Sequence, residues 1–398
     1  MGGGYSRVGQ RDIMTRSIEM YFMLGMPVVK RGPAYTAIRL AEQMNHDEVR
    51  CRVFASINRW PKDDLSVPVT TGAIVSEALT SRLPHRVAGR FTYPLAEKRL
   101  LRAIRANGGR PVVYSWGEIS LALARQLKGQ GIPVVREKIN CGKQVAKAIL
   151  DEAYGRLGVA PGHRITPDLV AKEHEEMHLA DAIFCPSPMV ARSLVAIGID
   201  EARLIPTSYG WEPARFAGTD KALAPANGPT FLFVGFVCVR KGAHILLEAW
   251  RRAGIRGRLV LVGDIEPIIA ERYADVLARA DVSYMKFTPN VGALYRSADW
   301  FIFPTLEEGG PQVTYEAGGN GVPAIVSEMG AGAFTRDGVD GHVVRSDDPA
   351  VWAEAIARLG PDRELRGHYA EQVLRHAADF TWQRVGERRR VALLERFG

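Results

Sequence analysis

Short apolar runs alternate with helical patterns twice along this chain, and no other feature limits its fold so strongly. The first series opens with an apolar segment at 17–24. It passes through Gly25-Met26-Pro27 and a loop carrying Lys30 and Arg31 into a helical pattern at 35–44. Further strands are expected at 52–57, 111–114, 132–136, 182–185 and 203–206, with helices at 119–128, 169–179 and 189–198. A polar linker with prolines and glycines follows at 217–229. The same grammar then restarts, with strands at 231–234, 259–262, 300–304 and 324–327 and helices at 243–253, 268–279 and from Val313. Strand–helix–strand units of this kind pair their strands in parallel. The expected class is therefore α/β: two Rossmann-like, doubly wound parallel-sheet domains, 1–215 and 216–380, facing a cleft. A C-terminal helix, 381–398, is expected to return to the first domain. With 398 residues, 46% of them apolar, the chain has material for two cores.

Composition removes several classes. Cys51, Cys141, Cys185 and Cys238 are widely spaced with no CxxC, which excludes a zinc ribbon or a thioredoxin-type pair and fits a reduced compartment. The longest apolar run, 231–239, contains a glycine and falls short of the roughly 18–20 residues that span a bilayer. Arg11 and Arg16 precede an apolar stretch as in a signal peptide, but Glu19 interrupts it and no small-residue cleavage site follows, so a first strand is expected instead. Met1-Gly2-Gly3-Gly4-Tyr5-Ser6 matches a myristoylation pattern, a cheap match in a chain with 40 glycines. No GxGxxG follows a strand, and GxxxxGK[ST], HExxH and GxSxG are all absent, so dehydrogenase, NTPase, zinc-protease and hydrolase readings lack their parts. Charge is uneven: residues 1–150 hold 24 basic against 11 acidic side chains, while the rest is net negative. The two halves should meet different partners.

Three motifs fall at expected strand ends. In Gly235-Phe236-Val237-Cys238-Val239-Arg240-Lys241-Gly242, two cations and unpaired backbone N–H groups converge where a helix begins, which suits a diphosphate. The competing reading is a solvated basic pair, which the helix dipole slightly disfavours. In Glu307-Glu308-Gly309-Gly310-Pro311-Gln312-Val313-Thr314-Tyr315-Glu316, Glu308 lies in the loop and Glu316 in the helix. The loop acid can reach a sugar hydroxyl and the helical acid a pair of ribose hydroxyls; alternatively one is an ordinary acid near a helix N-terminus and the other a surface glutamate. Gly263-Asp264 forms a third strand-end turn.

Together with Asn320-Gly321-Val322-Pro323-Ala324-Ile325, Ala180-Asp181-Ala182-Ile183-Phe184, Tyr209-Gly210-Trp211-Glu212-Pro213 and Asp337-Gly338-Val339-Asp340-Gly341, these motifs resemble the family 4 glycosyltransferases of the GT-B fold. The resemblance is strong over 180–345 and rests on pattern over 1–179. It implies a retaining, metal-independent hexosyltransferase that moves a sugar from a UDP- or GDP-sugar to a glycan or lipid-linked glycan in cell-surface polysaccharide or lipopolysaccharide synthesis. The nucleotide-sugar is a substrate; no cofactor, metal or nucleic-acid partner is expected. By resemblance, Lys241 holds the donor diphosphate with Arg240, Glu308 meets the transferred sugar, and Glu316 binds the ribose. Gly235, Gly263, Phe287, Gly309, Gly310, Gln312 and Val313 complete the donor set, and Met285-Lys286-Phe287 is where the base would be selected. Acceptor-side candidates are Lys30, Arg31, Trp116 and Glu118.

Departures bear on this reading. Phe236 replaces an arginine, Pro311 replaces a glycine and removes a backbone donor, and Ser115-Trp116-Gly117-Glu118 stands where the family often has a histidine. They keep open a second class, a catalytically silent GT-B protein serving as partner or scaffold for another transferase. Arg99, Arg102 and Arg105 form a basic stripe beside Leu101 and Ile104. With the basic first third, that stripe suggests contact with anionic lipid at the cytoplasmic face of the inner membrane; the competing reading packs Leu100, Leu101 and Ile104 on the sheet.

Overall fold

The computed structural model describes residues 17–73, 85–117 and 119–398. The myristoylation pattern, Arg11, Arg16 and Glu118 lie outside the described residues. Seven strands build the first sheet: β1 (Ile18–Leu24), β2 (Val49–Ala55), β3 (Val69–Thr71), β4 (Arg110–Trp116), β5 (Val134–Glu137), β6 (Ala182–Cys185) and β7 (Leu204–Pro206). Six build the second: β8 (Thr230–Val234), β9 (Arg258–Val262), β10 (Val282–Met285), β11 (Trp300–Phe303), β12 (Ala324–Ser327) and β13 (Gly341–Val344). Their orders are β3-β2-β1-β4-β5-β6-β7 and β10-β9-β8-β11-β12-β13. The pairings of β1 with β2 and β4, and of β8 with β9 and β11, are parallel. In each sheet the order reverses between these central strands, which opens a crevice at their C-terminal ends. Helices cover both faces, so all seven residues of β1 are buried and read as a continuous apolar run around Glu19.

Six helices matter below: α1 (Gly32–Met44), α2 (His85–Ala106), α3 (Lys143–Arg156), α4 (Ala243–Ala253), α5 (Gln312–Gly319) and α6 (Trp382–Phe397). The single helix expected at 268–279 is two shorter ones, Pro267–Arg272 and Ala274–Leu277, separated at Tyr273. No helix among the described residues is long and apolar enough to cross a membrane. The basic stripe on α2 needs correction. Ala96, Leu100 and Ile104 are buried against Tyr21, Met23, Phe54 and Val113. Arg99 turns inward, donating to the carbonyls of Thr71 and Ala73. That leaves Arg102 and Arg105 as the exposed cations of the three.

The chain crosses between the sheets twice. The outward crossing passes Trp211 and the return passes Thr381, and the two pair as a parallel bridge. Trp211 N–H donates to the Phe380 carbonyl at 3.0 Å, and Trp382 N–H donates to the Trp211 carbonyl at 3.2 Å. After the return, α6 lies on α1 so closely that a Cβ on Gly386 would sit 2.4 Å from the Gln43 Cβ. From α6, Arg389 reaches into the first domain. Its guanidinium pairs with Glu137 of β5 at 2.7 Å, and both side chains are fully buried. It also donates to the Tyr114 hydroxyl at 2.5 Å and the Ser208 carbonyl at 3.0 Å.

Breaking one partner of such a pair leaves an uncompensated buried charge, whereas replacing both by apolar groups of similar volume is often neutral. Arg389→Met is therefore expected to lower unfolding free energy by about 3–5 kcal/mol in urea titrations. The Arg389→Met, Glu137→Leu double variant is expected to recover most of that loss.

Candidate functional site

Close backbone approach shapes the site before any side chain does. At the end of β8, Gly235 has φ +140°, and a Cβ on Gly263, at φ +141°, would lie 2.0 Å from the Gly235 carbonyl oxygen. Gly242, at φ +70°, closes the short turn Val239–Lys241, and its Cβ would lie 1.9 Å from the Pro304 carbonyl oxygen. The loop carrying Arg240 and Lys241 is thus pressed onto the end of β11 and enters α4 from there. Across the cleft, a Cβ on Gly309 would stand 1.6 Å from the Ile139 carbonyl oxygen, and one on Gly310 would stand 2.7 Å from the Tyr209 ring. Two glycines in succession let the acidic loop rest directly on the first domain.

Between these surfaces lies a cavity of about 340 Å³. From the first domain it is lined by Gly32, Pro33 and Thr36 at the start of α1, Trp116 at the end of β4, Ile139, Asn140 and Tyr209. From the second it is lined by Val234, Gly235, Arg240, Lys241, Phe303, Glu308, Gly310, Gln312 and Val313. The amide of Gln312 donates to the Thr36 hydroxyl across the gap at 2.9 Å.

Two cations meet two carboxylates on the wall. Lys241 is in direct ionic contact with Glu308 and lies 5.4 Å from the centroid of the Phe303 ring. Arg240 Nη1 is 3.1 Å from Glu307 Oε2 and 3.8 Å from Glu308 Oε2. Glu307, only 2% exposed, also accepts the backbone N–H of Cys141 in the first domain at 3.2 Å. Burial lowers the Lys241 ammonium to about 7; the Arg240 charge pushes the same way and Glu307 opposes. The two cations expected here thus sit with Glu307 and Glu308 in a cluster of balanced formal charge. Sequence reasoning missed Glu307, although its adjacency to Glu308 was the available signal. It also missed Glu266, which accepts the Val239 N–H at 2.8 Å and the hydroxyl of Tyr154 on α3 at 2.6 Å. Nothing local distinguishes Glu266 from any surface acid ahead of a Pro-initiated helix.

Glu316 lies on α5, outside the residues that line the cavity, with Oε2 3.3 Å from the Tyr295 hydroxyl. Burial raises its carboxyl to about 7, opposed by Arg215 and the Tyr295 hydrogen bond. The remaining candidates divide. Gly263 and Gly309 serve backbone contact and do not line the cavity. Phe287 is 79% exposed, away from the cavity wall. Lys30 is paired with Asp64, and Lys30 and Arg31 are both exposed outside the lining, which begins at Gly32. Trp116 is fully buried and packs with Tyr114 and Tyr209, with ring centroids 5.9 and 6.2 Å away. It lines the cavity as a packed wall and offers no exposed ring face for a sugar to stack on. Among the described residues, no group of three or more His, Cys, Asp or Glu side chains is disposed to hold a metal ion.

Gly309→Ala is expected to hold the domains apart, because a methyl cannot occupy the space of the Ile139 carbonyl. Small-angle scattering should show a larger radius of gyration with unchanged far-UV circular dichroism. An unchanged scattering curve would mean that the loop yields instead.

Residues 228–362 match the family described as glycosyl transferases group 1. The D-inositol 3-phosphate glycosyltransferase of Salinispora arenicola is 31% identical over 212 residues, 48% of this chain and 47% of that protein. The chain thus spans about half the length of the curated relatives it matches. Among solved structures, Anabaena Alr3699/HepE in complex with UDP and glucose superposes with a TM-score of 0.67 at 15% identity, covering 94% of this chain and 99% of that one. WaaG, a glycosyltransferase involved in lipopolysaccharide biosynthesis, superposes at 0.62 and 16%, covering 94% and 99%. At such identities these likenesses establish the fold.

Proposed function

We propose that this chain, whose residues 228–362 match the group 1 glycosyl transferases and whose fold is GT-B, is a family 4 enzyme that transfers a sugar, with retention, from a nucleotide diphosphate to a glycan or lipid-linked glycan. The observation that carries the reading is the contact of Lys241 with Glu308 beside Arg240 on the cavity wall. When a donor enters, Lys241 exchanges the Glu308 carboxylate for a diphosphate oxygen, and Glu308 is freed to accept a hydroxyl of the transferred sugar. One charge-assisted contact replaces another, so the cation need not be stripped of all partners at any stage.

The bond between the anomeric carbon and the diphosphate oxygen breaks with its electron pair going to the diphosphate. The acceptor oxygen bonds to the same face of that carbon, and its proton passes to the departing phosphate. No protein base is required, and the protein's task is positioning and stabilising the leaving charge. Glu316, held by Tyr295, takes the ribose. An acceptor at the cytoplasmic face of the membrane suits the basic first domain, with Arg102 and Arg105 facing the lipid. The Anabaena neighbour has been solved in complex with UDP-glucose and with UDP, which makes UDP-sugars the first to assay.

Donor hydrolysis or transfer with a panel of UDP-, GDP- and ADP-sugars tests the proposal; silence toward all of them favours the scaffold reading. Lys241→Ala is expected to weaken nucleotide-diphosphate binding by roughly 10- to 150-fold in calorimetry, the worth of one charge-assisted contact. Glu308→Gln should retain or tighten UDP binding and cut turnover by about 100-fold or more. Glu316→Ala should weaken UDP even without a sugar; identical responses of both variants to free UDP would refute their separate roles.

The Lys241 shift gives a pH test. Lowered to about 7, the ammonium loses its proton as pH rises through neutrality in the free protein. A bound diphosphate favours the charged form, so binding takes up a proton and affinity falls as pH rises through that value. At about pH 8, where Glu316 and a terminal phosphate are mostly ionised, heats in buffers of different ionisation enthalpy should report this uptake. Lys241→Ala should abolish it.

A further inference from the structure

A second cavity, of about 620 Å³, opens at the other end of β8. Val234 at the C-terminal end of that strand lines the cleft, whereas Thr230 at its start lines this cavity. The two sites are therefore separated by the length of one short strand.

Five cations line the second cavity, Lys221, Arg256, Arg258, Arg363 and Arg366, against the single carboxylate of Asp299. They gather in the half of the chain whose net charge is negative. Asp299 is already committed: it pairs with Arg366 at 2.5 Å and accepts the Thr230 N–H at 2.8 Å. Arg258 is fixed from one side, its Nη2 donating to the Ala224 carbonyl at 3.1 Å and the Thr230 hydroxyl at 3.0 Å. Its buried Nε has no hydrogen-bond partner among the described residues. Lys221, Arg256 and Arg363 are exposed at the rim. Nearby acids do not cancel this charge: Asp220 pairs with Arg296, and Asp362 caps the following helix at Leu365.

A pre-oriented guanidinium ringed by further cations suits an oxyanion with several acceptor oxygens. The volume falls within the roughly 300–1,000 Å³ usual for small-molecule sites. The lining is concave and includes Leu223 and Pro225 of the linker, which offer an apolar face. A bilayer would meet a protruding surface more readily than a hollow. We propose that this cavity is a second binding site, distinct from the cleft, for a soluble phosphorylated small molecule.

Inorganic pyrophosphate is the probe, titrated into the intact protein by calorimetry at low ionic strength. Wild type should show two classes of site, and Lys241→Ala should weaken the one in the cleft. Arg256→Glu with Arg363→Glu should weaken the other by at least about tenfold, since each reversal removes one charge and opposes the ligand with another. The same double variant should leave UDP affinity at the cleft unchanged. The milder Arg256→Gln, Arg363→Gln pair should show a smaller loss in the same direction, which separates lost charge from misfolding. A pyrophosphate isotherm untouched by both pairs would overturn the proposal. So would a protein that ignores pyrophosphate yet binds phosphatidylglycerol vesicles through Arg256 and Arg363, because the ligand would then be a lipid surface.

Discussion

A carboxylate removed from water is costly unless both oxygens find strong partners, and Glu307 finds one in each domain. One oxygen takes the Cys141 N–H of the first domain and the other takes Arg240 of the second. That single side chain fixes how the acidic loop meets the loop after β5, and so how far the Gly309-Gly310 pair can settle against Ile139 and Tyr209. Because it also takes the closer contact with Arg240, it leaves Glu308 mainly to Lys241. The electrostatic state of the cleft follows from this buried acid.

Much of the architecture was legible because parallel strands covered on both faces must be apolar along their whole length. β1, β4, β8, β9 and β11 announced themselves for that reason, within a residue or two of their ends. Edge strands obey no such requirement, and β3, β10 and β13, reading Val-Thr-Thr, Val-Ser-Tyr-Met and Gly-His-Val-Val, carry no clear strand signal. Helix α3 escaped because its buried positions are mostly small or widely spaced, Ala146, Leu150, Ala153 and Tyr154.

The site was legible in its residue types and much less so in its partnerships. Glycines with adjacent cations and acids at strand ends marked Gly235, Arg240, Lys241, Glu308 and Gly310, and the family resemblance added Gln312 and Val313; all seven line one cavity. Sequence could not show that Lys30 meets Asp64, that Arg99 folds back to Thr71, or that Glu266 is claimed by Tyr154, 112 positions away. Local patterns report how much water a residue will see. They do not report which distant group will neutralise it.

The paired crossings at Trp211 and Thr381 bear on motion. Two chain segments laced at one point resist sliding and twisting, because either would break Trp211 N–H to Phe380 and Trp382 N–H to Trp211. What survives is rotation about that point, like a door on a single pin. A Cβ on Gly210 would press to 2.9 Å from the Phe380 carbonyl oxygen, so the pin itself has almost no clearance. Any swing that admits a substrate must then be absorbed by backbone torsions flanking the pin.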